Sequence, residues 1–276
     1  MSGAPFAVVE WPRWAEMWSI ALVIYLCCKW LTWQAAAVRN VPVWKHCAYL
    51  LAWPGMDAAS FLGAGRVARS SICRSIEWTT AIVKLVTGIA LLFVVARTIP
   101  PHHDYVVGWI GMIGLVLILH FGTLHLLSCW WRGRGIEARA LMNRPLASTS
   151  LSEFWGRRWN TAFRDLTYRF LFRPCASWFG TSGGVFAGFL FSGLIHDAVI
   201  SVPARGGYGG PTVFFAIQGA AMVIERSGFG RRIGLGAGFP GRLFALIVLI
   251  APLGLLFHPP FVVGIIVPFM RFLGAI

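Results

Sequence analysis

The sequence predicts an all-α, polytopic integral membrane protein of about seven or eight transmembrane helices, with an amphipathic helical segment on its cytoplasmic side. Three observations predict it. Hydrophobic residues make up 57% of the 276-residue chain and charged residues only 12%, about half the share found in soluble domains. The apolar residues gather in runs close to the roughly 20 residues that a helix needs to cross a bilayer. Those runs lack the short alternation of barrel strands, and a helix satisfies its own backbone in lipid.

The first run, 14–37, follows Glu10 and Pro12 with no basic stretch before it. It reads as a retained helix rather than a cleaved leader. Residues 42–53 are apolar but short, a broken span or a re-entrant piece, closed by Pro54 and Gly55. A loop over 56–77 carries Arg66, Arg69 and Arg74. The second full span, 78–99, contains Lys84, which must snorkel or face protein. The third is 104–131. A long basic segment, 132–181, comes next. Span 183–202 contains His196, and runs 210–224, 241–257 and 260–273 complete a single domain, 1–276.

Charge orients the array. The segment 132–181 holds nine arginines against three acids, which places it in the cytoplasm. The turns around Arg205, from Arg226 to Arg242, and at Phe257–Pro260 carry one, four and no arginines, and alternate outside, inside, outside. The net charge of +14 suits anionic membrane lipid or a phosphate-bearing substrate. Nucleic acid is not an expected partner, because the basic residues form no soluble module. The six cysteines, Cys27, Cys28, Cys47, Cys73, Cys129 and Cys175, include no C-x-x-C pair. Neither a disulfide framework nor a metal site is expected.

Two stretches carry candidate chemistry. His196 lies thirteen residues past Gly183, well inside its span at 1.5 Å per residue. An ionisable side chain at that depth is a functional candidate by default, against the plainer reading of a helix-to-helix contact. Histidine is the usual general base near neutral pH. Ser192, one turn back, shares its face and is placed to orient the ring, whereas Asp197 points about 100° away. Residues 150–172 read as one amphipathic interfacial helix, started by Ser150 or Ser152. Phe154, Trp155, Trp159, Phe163 and Leu166 recur there at helical spacing, with Glu153, Arg157, Arg164 and Asp165 among them. An anchor on anionic lipid explains that composition equally well. Asn160 is the exception, a neutral amide able to donate to a carbonyl oxygen or to serve as a cap. His120 and His125 are turned about 140° apart on one helix, and Gly206–Gly210 lacks a P-loop lysine; both read as structural.

The string N-R-P-L-A-S-T-S-L-S-E-F-W-G-R-R-W-N at 143–160, followed by F-S-G-L-I-H-D at 191–197, resembles the membrane-bound O-acyltransferase family in its wax synthase-like branch. Weaker agreement lies in 51–57, in Gln218, Gly219 and Glu225, and in 256–261; the best-matched core is 143–225. Asp197 stands where this branch more often has Glu, and Gln218 where His is common. The resemblance implies His196 as general base and Asn160 as donor-positioning or oxyanion-stabilising group. It implies substrate contacts from Trp155, Arg157, Arg158, Trp159, Ser192 and Gln218, with the two arginines receiving the phosphates of acyl-CoA. Transfer is direct, with no covalent acyl-enzyme and no cofactor beyond acyl-CoA as co-substrate. The expected acceptor is a hydroxylated lipid, first a long-chain alcohol giving a wax ester, otherwise a sterol, terpenoid or glycan hydroxyl. A non-catalytic lipid-binding or transport protein is the competing class; no repeat supports it. The expected location is the bacterial inner membrane or the endoplasmic reticulum.

Overall fold

A computed structural model describes residues 11–38, 40–63 and 73–276. The loop expectation for 56–77 therefore falls partly outside the described residues, as does Glu10. All regular elements among the described residues are helical. Five stretches are long and apolar enough to cross a membrane: Arg13–Ala36 (α1), Ser75–Thr98 (α4), Asp104–Gly133 (α5), Thr161–Ala204 and Gly238–Leu256 (α11). Within the most apolar window of each, only 17–28% of residues are buried. The exposed remainder is aliphatic and aromatic, as lipid contact requires.

The fourth stretch is two helices. Gly180 sits at φ 71° and ψ 174°, a conformation open to glycine alone. Beyond it the chain folds back. The Cβ position of Gly184 lies 2.9 Å from the carbonyl oxygen of Phe172, and that of Gly188 lies 3.1 Å from the Thr167 side chain. In a straight helix those pairs would be about 18 and 31 Å apart. Residues 161–179 (α7) and 181–204 (α8) are thus an antiparallel hairpin. α8 packs along Gly210–Arg226 (α9), where the backbone of Thr212 comes within 2.7 Å of the Gly193 Cβ position.

The short apolar run 42–53 forms a ten-residue helix, about half the length that crossing alone requires. Its helix, Val43–Ala52 (α2), stays at one end of the array with the turn Ala58–Leu62 (α3). His46 Nδ1 accepts from Trp33 Nε1 at 2.9 Å near the end of α1, and the Ala52 carbonyl accepts from Trp131 Nε1 at 3.0 Å near the end of α5. The last run also falls short of a span. Pro259–Phe272 (α12) begins where His258 meets Ser201 at 3.2 Å. It ends where Arg271 meets Asp104 at 3.3 Å. Both partners lie at the same end of the array, opposite α2. Trp14, at the start of α1, packs there too, with ring centroids 4.4 Å from Phe272. The expected count of seven or eight spans is not confirmed: five stretches qualify among the described residues, one of them folded back as a hairpin, and α9 is a shorter helix of 17 residues.

One disulfide joins Cys73 to Cys129, with Cα atoms 5.1 Å apart. It is a single bridge rather than a framework, and the other four cysteines are free. The antiparallel packing of α4 on α5 brings together cysteines 56 residues apart, which local spacing does not reveal.

Candidate active site

The segment 143–160 folds as a capped, re-entrant unit. Ser150 Oγ accepts from the Glu153 backbone at 3.0 Å and starts a helical turn, Leu151–Glu153 (α6). The turn continues as a wide π-type turn, Phe154–Arg158. Such turns recur at functional sites because they re-aim side chains. The helix then stops. Trp159 is extended, and Asn160 adopts the left-handed conformation at φ 41° and ψ 59°. Asparagine tolerates that region better than most residues. The single amphipathic helix expected over 150–172 is therefore two elements meeting at an angle on Asn160, and the angle turns this residue inward.

A cavity of about 520 Å³ lies between α1, the 155–168 segment, α8 and α9. Its walls are mostly aromatic and aliphatic. Trp155, Trp159, Asn160, Ser192 and His196 all line it. Residues 36 positions apart in sequence, Asn160 and His196, thus share one chamber.

His196 ends the regular part of α8, and a π-turn, Asp197–Ser201, follows. The ring Nδ1 lies 2.7 Å from the Ser192 carbonyl. A carbonyl only accepts, so the proton resides on Nδ1 and the Nε2 lone pair is the acceptor. Ser192 does orient the ring, but through its backbone; its hydroxyl donates to Gly188 O at 3.0 Å. Phe215 braces the imidazole with ring centroids 4.5 Å apart. Asp197 does not pair with it. Its carboxylate accepts from Ser201 Oγ at 2.8 Å, Gly209 N at 2.9 Å and Thr212 N at 3.0 Å, and also from Thr212 Oγ1.

The aromatic residues are held from behind. Trp159 stacks on Phe154 with centroids 5.4 Å apart, and Trp155 packs on Phe189 and Phe215. Gln218 is fully buried and does not line the cavity. It accepts from Trp155 Nε1 at 3.3 Å and donates to Val248 O at 2.8 Å, so it supports the wall rather than touching the contents.

The arginines differ from the sequence expectation. Arg158 is paired with Glu153 at 2.6 Å and donates to the carbonyls of Asn143 and Arg144. Arg157 is exposed, and neither residue lines the cavity. The arginines at the chamber are Arg164 and Arg226. Arg226 also borders a second hollow of about 390 Å³ with Glu225, with Arg231 of the short helix Gly228–Arg232 (α10), and with a glycine-rich turn. Arg226 was legible only as one of four basic residues in a loop; its place between two cavities depends on the tertiary fold.

Residues 138–217 match the model of the membrane bound O-acyl transferase family. The chain is 33% identical over 111 residues to a probable long-chain-alcohol O-fatty-acyltransferase 7 of Arabidopsis thaliana, covering 36% of this chain and 33% of that protein. It is 30% identical over 100 residues to the long-chain-alcohol O-fatty-acyltransferase of Simmondsia chinensis, covering 33% of this chain and 28% of that protein. An acyl-CoA–sterol O-acyltransferase 1 of Arabidopsis thaliana is 29% identical over 77 residues, 25% of this chain and 22% of that protein. The matched segment thus spans about a third or less of these relatives.

Proposed function

We propose, for a chain whose residues 138–217 match the membrane bound O-acyl transferase family, that it moves an acyl group from acyl-CoA to the hydroxyl of a lipid-like alcohol. One observation carries the reading: His196, with Nδ1 fixed and Nε2 available, shares an apolar cavity with Asn160. In the proposed reaction His196 Nε2 removes the acceptor O–H proton as that oxygen attacks the thioester carbonyl. The Asn160 amide donates to the oxyanion that develops. Collapse breaks the C–S bond, and the thiolate leaves with the proton from His196. No side-chain nucleophile takes part, and no cofactor beyond the thioester co-substrate is called for.

The oily walls suit an acyl chain and a long alcohol. Arg226, between the chamber and the second hollow, suits the phosphates of coenzyme A, with Arg231 beside it. Trp155, Trp159 and Ser192 contact substrate in this reading, while Arg157 and Arg158 act on lipid headgroups or on the fold. The arginine-rich segment faces the cytoplasm, in a bacterial inner membrane or the endoplasmic reticulum. A sterol acceptor is the second reading, favoured by the sterol-acylating relative.

The test is a transfer assay on purified full-length protein. Labelled palmitoyl-CoA is offered with hexadecanol, a sterol and diacylglycerol. Wax ester formed with release of one thiol per ester is the expected result. Sterol ester alone selects the second reading, and absence of both ester and thiol release removes the proposal.

A further inference from the structure

One face of α9 touches His196 and the segment that leads into Asn160. Phe215, Gln218, Met222 and Glu225 follow one another at three- and four-residue steps, so they share a helical face. At the first step Phe215 braces the His196 ring. At the second Gln218 accepts from Trp155 Nε1 at 3.3 Å. At the last the Glu225 carboxylate, only 3% exposed, accepts from Leu151 N at 2.6 Å and Ser152 N at 3.0 Å. These are the first amides of α6, which a helix start leaves without internal partners. The cap of α6 is thus shared between its own Ser150 and a residue more than 70 positions downstream. Arg226 adds a bond from Nε to Ser152 Oγ at 2.9 Å. The other end of α9 is tied to the His196 helix by the Asp197 carboxylate, through Gly209 N and Thr212 N. Apart from the direct packing of Trp155 on Phe189 of α8, the contacts that tie 150–155 to the His196 helix run through α9.

We infer that Glu225 and Gln218 are positioning residues that set Asn160 against His196. They hold the re-entrant 150–160 segment to the same helix face that braces the base. Neither lines the chamber that holds His196 and Asn160; Glu225 borders only the second hollow, and its carboxylate is taken up by the two amides of α6. The inference rests on the acyl-transfer reading above and assigns the cause of its geometry.

The experiment compares Glu225→Gln with wild type, each also in an Asn160→Ala background. Glutamine keeps the side-chain length but turns one acceptor oxygen into a donor facing an amide N–H. A displacement of Asn160 by a fraction of an ångström should lower kcat about tenfold. KM values for thioester and alcohol should stay within about twofold. With Asn160 already removed, the same change should cost less than about twofold, because the two act as one unit. Gln218→Met, which removes the bond to Trp155 at similar volume, should behave the same way and serves if Glu225→Gln does not fold. Unchanged kcat, or an equal loss with and without Asn160, overturns the inference. Amide exchange on the full chain gives a readout independent of turnover. Leu151 and Ser152 should exchange faster in Glu225→Gln while the amides of α9 do not. Unaltered exchange at those two amides overturns the clamp. Absence of transfer by the wild type instead removes the functional reading, and the exchange result still decides the clamp.

Discussion

At the scale of single residues, the proposed reaction makes opposite demands on two side chains. His196 must present a lone pair, and the Ser192 carbonyl at 2.7 Å on its other nitrogen secures that. Asn160 must present a donor, and its left-handed backbone at φ 41° aims it. Removing one oxyanion donor lowers turnover by about 10²-fold. Asn160→Ala should therefore reduce kcat by that order while KM for the thioester changes little, as steady-state kinetics will read. A large rise in KM with unchanged kcat would instead make Asn160 a donor-binding group. Glu153 offers a pH-dependent test on the same segment. The Thr149 N–H first, then Arg158, hold its carboxyl below the usual carboxylate range. A value depressed on folding stabilises the folded chain above the ordinary carboxylate pKa of about 4.3. That contribution is lost as pH falls through the depressed value. Wild type should thus melt above Glu153→Gln at neutral pH, and the gap should close on acidification below pH of about 4. A gap that persists at low pH would show that charge is not its source.

At the scale of elements, the hairpin of α7 and α8 and its packing on α9 decide where His196 sits. Gly193 lies one turn before the base, and a Cβ there would meet the Thr212 Cα at 2.7 Å. Backbone cannot move aside as a flexible side chain can. Gly193→Ala should therefore push α8 from α9 and cost about 1–3 kcal/mol, the usual price of overpacking. A melting temperature equal to wild type would mean that this close approach is not maintained. The elements also show what a sequence can and cannot convey. His196 inside an apolar span and Asn160 beside Trp159 were legible, because an ionisable group in oil and a lone amide between aromatics are local signals. The run 42–53 is ambiguous in sequence, since a short, mostly apolar run reads alike whether it crosses or lies at one end; the bonds from Trp33 and Trp131 place it. The reversal at Gly180 hid inside a continuous apolar pattern. Expecting one helix over 150–172 failed for a related reason, as helical periodicity gives no notice of a residue that enters the left-handed region.

At the scale of the whole molecule, the chain is a lipid-facing array built around one chamber whose walls come from distant stretches. The adjacent pair Arg157 and Arg158 draws the eye as a phosphate site, whereas the fold engages Arg158 with Glu153 and two carbonyls and brings Arg164 and Arg226 to the chamber. Arg226 and Glu225, 66 and 65 residues beyond Asn160, acquire their places only when α9 returns beside α6. The all-helical membrane class, by contrast, followed from composition and run length alone. The central claim is that His196 is the base for direct acyl transfer in this chamber. The measurement that tests it most directly is ester formation from labelled palmitoyl-CoA and the preferred alcohol, by wild type and His196→Ala side by side. Both proteins must elute as the same folded species. The account predicts ester from wild type and none above background from the variant. Undiminished ester formation by a folded His196→Ala protein would contradict it.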